Sequence, residues 1–175
     1  MSETMRYILG YLFGMTVFLF LVPFGLYELS KLDILFGNGV MIGSATVRIV
    51  VSLPVFFAGA FFAIWSNIYL FMIGKGGPAE GLGISISPRT KHLVTSGPYR
   101  YSRNPMVFGA FSLYVSIALF LDSMNGLVCL FAFLPVGIVY LKIFEEKRLL
   151  KDFGDEYIEY RRNVPMLFPL KRSRM

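Results

Sequence analysis

Between two long apolar runs lies a polar, cationic stretch, Leu93-Val94-Thr95-Ser96-Gly97-Pro98-Tyr99-Arg100-Tyr101-Ser102-Arg103-Asn104-Pro105. Uncompensated charge at the mouth of an apolar helix is costly and usually functional, so chemistry is expected here. Asn104-Pro105 reads first as a helix start: Asn is a preferred N-cap, and Pro is favoured at the first helical position because its missing N–H had no partner there. The same helix N-terminus, with Arg100 and Arg103 just before it, also reads as an anion site where orphan N–H groups and guanidinium forks converge. Tyr99 and Tyr101 interleave the arginines in a way that charge placement alone does not require.

Three further groups carry two readings each. His92 is a satisfied loop histidine or a hydrogen-bond donor to a ligand. Glu145-Glu146 are acids in the first turn of a helix, favoured there by its dipole, or partners of the cationic stretch. Lys142 snorkels from a helix end or reaches a ligand. Position strengthens the functional readings, because an even number of membrane crossings returns Lys142 and both glutamates to the side that carries Arg103.

Other chemistries lack their residues. One Cys excludes an intramolecular disulfide, and one Cys with one His cannot supply a Cys/His zinc cluster, so no metal is expected. Cys129 sits in an apolar run with no base beside it and reads as packing. In the glycine-rich segment Gly74 to Gly83, Lys75 is not followed by Ser or Thr. Neither a GxxxxGK loop nor a GxGxxG between strand and helix is present, which excludes the nucleotide loops of soluble enzymes.

The elements that must position these groups are apolar helices. With 55% hydrophobic and 17% aromatic residues and a mean hydropathy of +0.62, the chain is too apolar for an ordinary soluble domain and reads as an integral membrane protein. Four runs are expected to cross: about 7–29, 47–73, 105–121 and 126–143, the third and fourth forming a tight hairpin through Asp122-Ser123-Met124-Asn125. The first two exceed the roughly 20 residues a crossing needs, and the last two lie near the lower limit. The first run is too long for a signal-peptide core and stays as a helix. Pro23 marks a kink, and Ala58, Gly59, Ala60 and Ala63 allow close helix packing.

Residues 74–104 form the one long polar connection, whose glycines and proline deny it helix and strand alike. Over 145–163, Leu149, Leu150, Phe153, Tyr157 and Tyr160 recur at three- and four-residue steps. This is an amphipathic helix at the membrane surface or over the loop, breakable at Gly154 and ended by Val164-Pro165 and Pro169. A basic tail, Lys171-Arg172-Ser173-Arg174, follows. The whole is one all-α membrane domain, 1–175.

Fifteen cations fall on the side of Arg6, the motif loop and the C-terminal helix, against Lys31 and Arg48 on the other. That imbalance places both termini and the loop in the cytoplasm. The pI near 9.5 does not point to nucleic acid, since the cations flank apolar runs and suit anionic lipid headgroups.

The segment Leu93 to Arg100, then Arg103-Asn104-Pro105-Met106 and Gly109, followed by Glu145-Glu146, Leu149-Leu150, Phe153-Gly154, Tyr157, Tyr160 and Val164-Pro165, resembles the isoprenylcysteine carboxyl methyltransferase and phospholipid N-methyltransferase superfamily of membrane enzymes. The family often has His where this chain has Asn104 and Tyr where it has Val107, so no role of that His or Tyr carries over. The resemblance implies S-adenosylmethionine as methyl donor, bound on the cytoplasmic side by the loop, the start of the third apolar helix and the Glu pair. His92, Leu93, Val94, Gly97, Tyr99, Arg103, Asn104, Pro105, Glu145 and Glu146 are then the cofactor-binding candidates. Arg103 and Glu146 are the catalytic candidates, and Lys142 and Tyr101 meet the acceptor. The carboxylate of the donor suits the helix start and Arg103, its ribose diol suits Glu145 or Glu146, and its adenine suits Tyr99 or backbone near Leu93 and Val94.

The resemblance further implies an acceptor arriving laterally from the bilayer: a membrane lipid or lipidated molecule bearing a carboxylate, an amine, a thiol or a small isoprenoid group. Two other function classes share some features. A sterol-type NADPH-dependent reductase has a similar loop and Arg/His-Pro segment, but such reductases are generally larger and the Glu pair favours methyl transfer. A non-catalytic membrane assembly subunit would bind no cofactor at all.

Overall fold

The computed structural model describes residues 2–32, 41–77, 80–81, 84–85 and 87–169. Residues 33–40, between the first two apolar runs, and the basic tail from Lys171 lie outside the described residues.

The first apolar run forms one continuous helix, α1 (Glu3–Met15) and α2 (Val22–Lys31), joined by a π-helical stretch at Thr16–Leu21. Ser2 caps it by accepting from the Met5 amide at 3.2 Å. Proline chemistry explains what the π stretch needs. The Val22 amide reaches back to the Val17 carbonyl, so the next amide in that register should meet Phe18, but it belongs to Pro23 and does not exist. Tyr114 supplies the missing donor from a neighbouring helix, its hydroxyl 3.2 Å from the Phe18 carbonyl. The second run is α3 (Ala45–Met72), with Pro54 inside it. The third is α4 (Pro105–Phe120).

The fourth run and the amphipathic segment, expected as separate helices, are continuous. α5 (Met124–Tyr140) passes through a second π stretch, Leu141–Glu146, into α6 (Lys147–Asn163). The break comes at Gly154, whose φ of 52° and ψ of −125° are open to glycine but strained for other residues. The change from apolar to amphipathic composition therefore occurs inside a helix, because backbone bonding continues regardless of which face is wet.

Three helices, Thr4–Lys31, Ala45–Met72 and Met124–Asn163, are long and apolar enough to cross a membrane, while Pro105–Phe120 is shorter. Their apolar side chains face outward: Phe20, Phe57 and Phe133 are each about two-thirds exposed, as expected of surfaces solvated by lipid.

The structural pillar is the α3–α4 contact. A Cβ built on Gly109 would lie 2.5 Å from the Ala63 amide nitrogen, and one on Gly59 would lie 2.8 Å from the Gly109 carbonyl oxygen. Gly59 and Ala63 thus allow the close packing anticipated, backbone against backbone. At one end of the bundle the α4–α5 turn holds the preceding connections. Asp122 Oδ1 accepts from the Ile42 amide at 2.8 Å, Asn125 Nδ2 donates to the Leu32 carbonyl, and Ser123 Oγ caps α5 by accepting from Gly126 at 2.9 Å.

At the opposite end, α1 secures the polar loop. Arg6 Nη2 donates to the Ser87 carbonyl at 3.2 Å and the Tyr7 hydroxyl to the Lys75 carbonyl at 2.7 Å. The loop is not wholly irregular, as its composition suggested: β1 (Glu80–Gly81) and β2 (Ile84–Ser85) pair antiparallel. Residue propensity weighs little against so short a pairing once the Gly77 amide meets the Pro88 carbonyl at 3.0 Å and the Lys91 amide meets Gly74 at 2.7 Å.

The pillar yields a direct expectation. Gly109→Ala forces the two backbones apart and should cost roughly 1–3 kcal/mol, whereas Gly137→Ala, with nothing within 4 Å of the added carbon, should leave stability unchanged or slightly higher. Thermal unfolding of both variants in the same detergent measures the difference.

Candidate functional site

The cationic stretch begins with a single 3-10 turn, Gly97–Arg100. Gly97 has φ +59°, and a side chain there would collide with the Tyr69 ring, 2.4 Å away. Glycine is therefore required to press the turn against α3. Tyr99 packs against a buried cluster of Tyr157, Tyr160 and Val164, together with Leu93, Leu149 and Phe153. Burial pushes the Tyr99 hydroxyl pKa well up, with the Glu145 carboxylate and then Tyr11 adding to the shift, so Tyr99 is a neutral phenol. Its carbonyl accepts from the Tyr160 hydroxyl at 2.7 Å.

From Ser102 the chain runs beside the strap that follows α6. Ser102 Oγ donates to the Leu167 carbonyl at 2.7 Å, the Arg103 amide to Pro165 at 2.9 Å and the Asn104 amide to Met166 at 3.1 Å. Asn104 stands at the N-cap position of α4, but its side chain makes no cap. Its Nδ2 instead donates to the Met166 carbonyl at 3.0 Å, because the strap offers a carbonyl that needs a donor. Pro105 is buried at N1 without an N–H, so the amides of Met106 and Val107 remain as the open donors of the first turn.

Arg103 and Glu146 form an ion pair through Nη1 and Oε1, their side chains only 11% and 12% exposed. The same Nη1 donates to the Tyr157 hydroxyl at 3.3 Å. Glu146 Oε2 lies 3.8 Å from Arg161 Nη1. Arg103 Nε is buried with no hydrogen-bond partner. The π stretch Leu141–Glu146 ends at this glutamate; such stretches shift the phase of a helix and often occur at functional sites.

The structure thus brings Tyr99, Arg103, Asn104, Pro105, Glu145 and Glu146 to one place. Leu93 and the buried Val94 lie behind them, and Gly97 seats the turn. His92 and Lys142 are exposed. Tyr101 is exposed with its ring beside Trp65 of α3, centroids 6.5 Å apart. Sequence reasoning missed Tyr157, Tyr160, Ser102 and Arg161 as site-forming residues. A signal existed for the tyrosines: a helical face needing only apolar bulk carries two phenols, and a buried phenol normally finds a partner for its hydroxyl.

Long apolar helices whose side chains face outward describe an integral membrane protein, and the shielded Arg103–Glu146 pair before the start of α4 is its candidate site. The chain belongs to the phospholipid methyltransferase family, whose model matches residues 47–156, from α3 into α6. This family lies within the superfamily suggested by the loop and the Glu pair, and it makes the chain a membrane methyltransferase. Comparison with curated proteins and with solved structures returns no match.

Removing one partner from a shielded ion pair leaves the other uncompensated. Glu146→Gln keeps an acceptor oxygen but not the charge and should cost roughly 1–3 kcal/mol. Arg161→Gln, on an arginine 45% exposed and 3.8 Å away, should cost under ~1 kcal/mol. Denaturation midpoints of the two variants test that ranking.

Proposed function

We propose that this protein transfers a methyl group from S-adenosylmethionine to a lipid-like or amphiphilic acceptor at the cytoplasmic face of the membrane. The observation that carries the reading is Arg103, paired with Glu146 beside the uncapped start of α4, in a chain of the phospholipid methyltransferase family. The residues fit the cofactor. Arg103 Nε is a buried donor without a partner, and the α4 amides add donors beside it, so a carboxylate satisfies groups the protein leaves open. The carboxylates of Glu145 and Glu146 lie on the same side as Arg103, and either suits the ribose hydroxyls. The neutral phenol of Tyr99 and the backbone near Leu93 and Val94 suit adenine, while Gly97, Asn104 and Pro105 frame the site.

When bound, the cofactor supplies a methyl group on a positively charged sulfur. Such an electrophile needs little acid or base assistance, so these residues bind, align and exclude water, and no catalytic base is assigned. Arg103 acts on the cofactor directly, and Glu146 acts by holding Arg103. The acceptor reaches the site from the bilayer, with Tyr101 and Lys142 exposed where a headgroup would arrive. The family description favours a phospholipid amine over an isoprenylcysteine carboxylate. Family membership also speaks against the reductase and assembly readings.

Counting α4 with the three longer helices gives four crossings, and the cation imbalance supports a cytoplasmic loop and α6. A reporter active only outside the cytoplasm should be active when inserted after Asp33 and silent after Glu80; the reverse pattern overturns the orientation. For the cofactor, calorimetric titration of the detergent-solubilised protein should give saturable heat with S-adenosylhomocysteine and none with NADPH. Binding of NADPH alone restores the reductase reading, and binding of neither restores the assembly reading.

A further inference from the structure

We infer that Tyr157 is a positioning residue that sets the orientation of Arg103 toward the cofactor carboxylate. This inference rests on the cofactor reading above. Tyr157 is 1% exposed within a cluster that apolar bulk alone would fill. Its hydroxyl is nonetheless directed at Arg103, 3.3 Å from Nη1. It lies one residue beyond the span matched by the family model, so that match assigns it nothing.

The geometry of the guanidinium gives the contact its meaning. Arginine binds a carboxylate bidentately through two parallel N–H groups, and the Nε and Nη2 groups form one such edge. Glu146 Oε1 and the Tyr157 hydroxyl both accept from Nη1, while Nε has no partner. The protein therefore holds the guanidinium by one corner and leaves the edge containing Nε for a ligand. With Glu146 alone, a single acceptor would let the plane turn about that bond. A second acceptor, carried on a ring packed on all sides, restrains it. The Tyr160 hydroxyl, by contrast, bonds the Tyr99 carbonyl at 2.7 Å and makes no bond to Arg103.

The test compares S-adenosylhomocysteine with methylthioadenosine, which keeps the adenine, ribose and sulfur but lacks the carboxylate. Tyr157→Phe retains the ring and should weaken S-adenosylhomocysteine binding roughly 3- to 10-fold, in the range of one hydrogen bond. Methylthioadenosine affinity should not change. In an Arg103→Lys background the same substitution should add nothing, because Tyr157 acts only through Arg103. Tyr160→Phe serves as the control for losing a buried phenol and should not discriminate between the two ligands. Equal weakening of both ligands by Tyr157→Phe makes Tyr157 structural and overturns the proposal. So does unchanged binding of both. If Tyr157→Phe does not fold, the proposal stands or falls on Tyr157→His, whose ring nitrogen must preserve the preference for S-adenosylhomocysteine. Wild-type protein that binds neither ligand overturns the cofactor reading itself, an outcome distinct from a wild-type preference that Tyr157→Phe leaves intact.

Discussion

The ion pair between Arg103 and Glu146 joins two parts of the chain far apart in sequence: the end of the polar loop and the end of the second π stretch. Shielding two charges at the edge of an apolar bundle costs solvation, and their attraction offsets that cost only when geometry is good and further hydrogen bonds complete the set. Tyr157 supplies one such bond and Arg161 lies within reach of the other carboxylate oxygen. The surrounding aromatic cluster keeps water away from this part of the loop. The position of α6 therefore depends on charge satisfaction as much as on apolar contact.

The strap after α6 has a complementary role. Residues 102–104 cannot be helical while they enter α4, so their backbone groups need partners elsewhere. The carbonyls of Pro165, Met166 and Leu167 provide them. Val164 and Pro165 end the helix, as their types suggest, but they also turn the chain so that its carbonyls run beside the Arg103 backbone. The arginine is thus fixed at its main chain by the strap and at its guanidinium by Glu146 and Tyr157.

Residue type and spacing carried the helices, the α4–α5 turn, the Gly59 and Ala63 contact surface and the meeting of Arg103 with Glu146. These depend on local composition or on a parity argument about crossings. The π stretches were not legible, because a π turn is defined by which carbonyl an amide chooses, and apolar residues such as Thr16–Leu21 permit either choice. The Asn104 side chain departs from the cap its type predicts for a related reason. Its local preference is real, but a cap needs Oδ1 turned toward the first-turn amides, and the Met166 carbonyl, distant in the chain, holds the side chain by Nδ2 instead. Periodicity places Tyr157 on the apolar face, where it lies, but reports the direction of a ring and not its polar tip.

The two ends of the bundle are held by different kinds of contact, and the difference bears on function. At the α4–α5 turn, Asp122, Ser123 and Asn125 pair with backbone groups of the preceding connections and of α5. Each of these bonds ties a side chain to a backbone group, so that end behaves as a clamp. At the other end the central contacts join charged side chains, and Arg103 has an unused donor. On the proposed cofactor reading, an anionic ligand adds to the guanidinium at Nε while Nη1 keeps its partners, so the network need not break first. The backbone contact of α3 with α4 connects the two ends and limits relative movement of the helices that carry the Gly97 turn and the first-turn amides. Closely packed α3 and α4 on one side and a charge-held α6 on the other fix the Gly97 turn, Arg103 and Glu146 relative to one another, and on the proposed reading the binding groups are in place before the cofactor arrives.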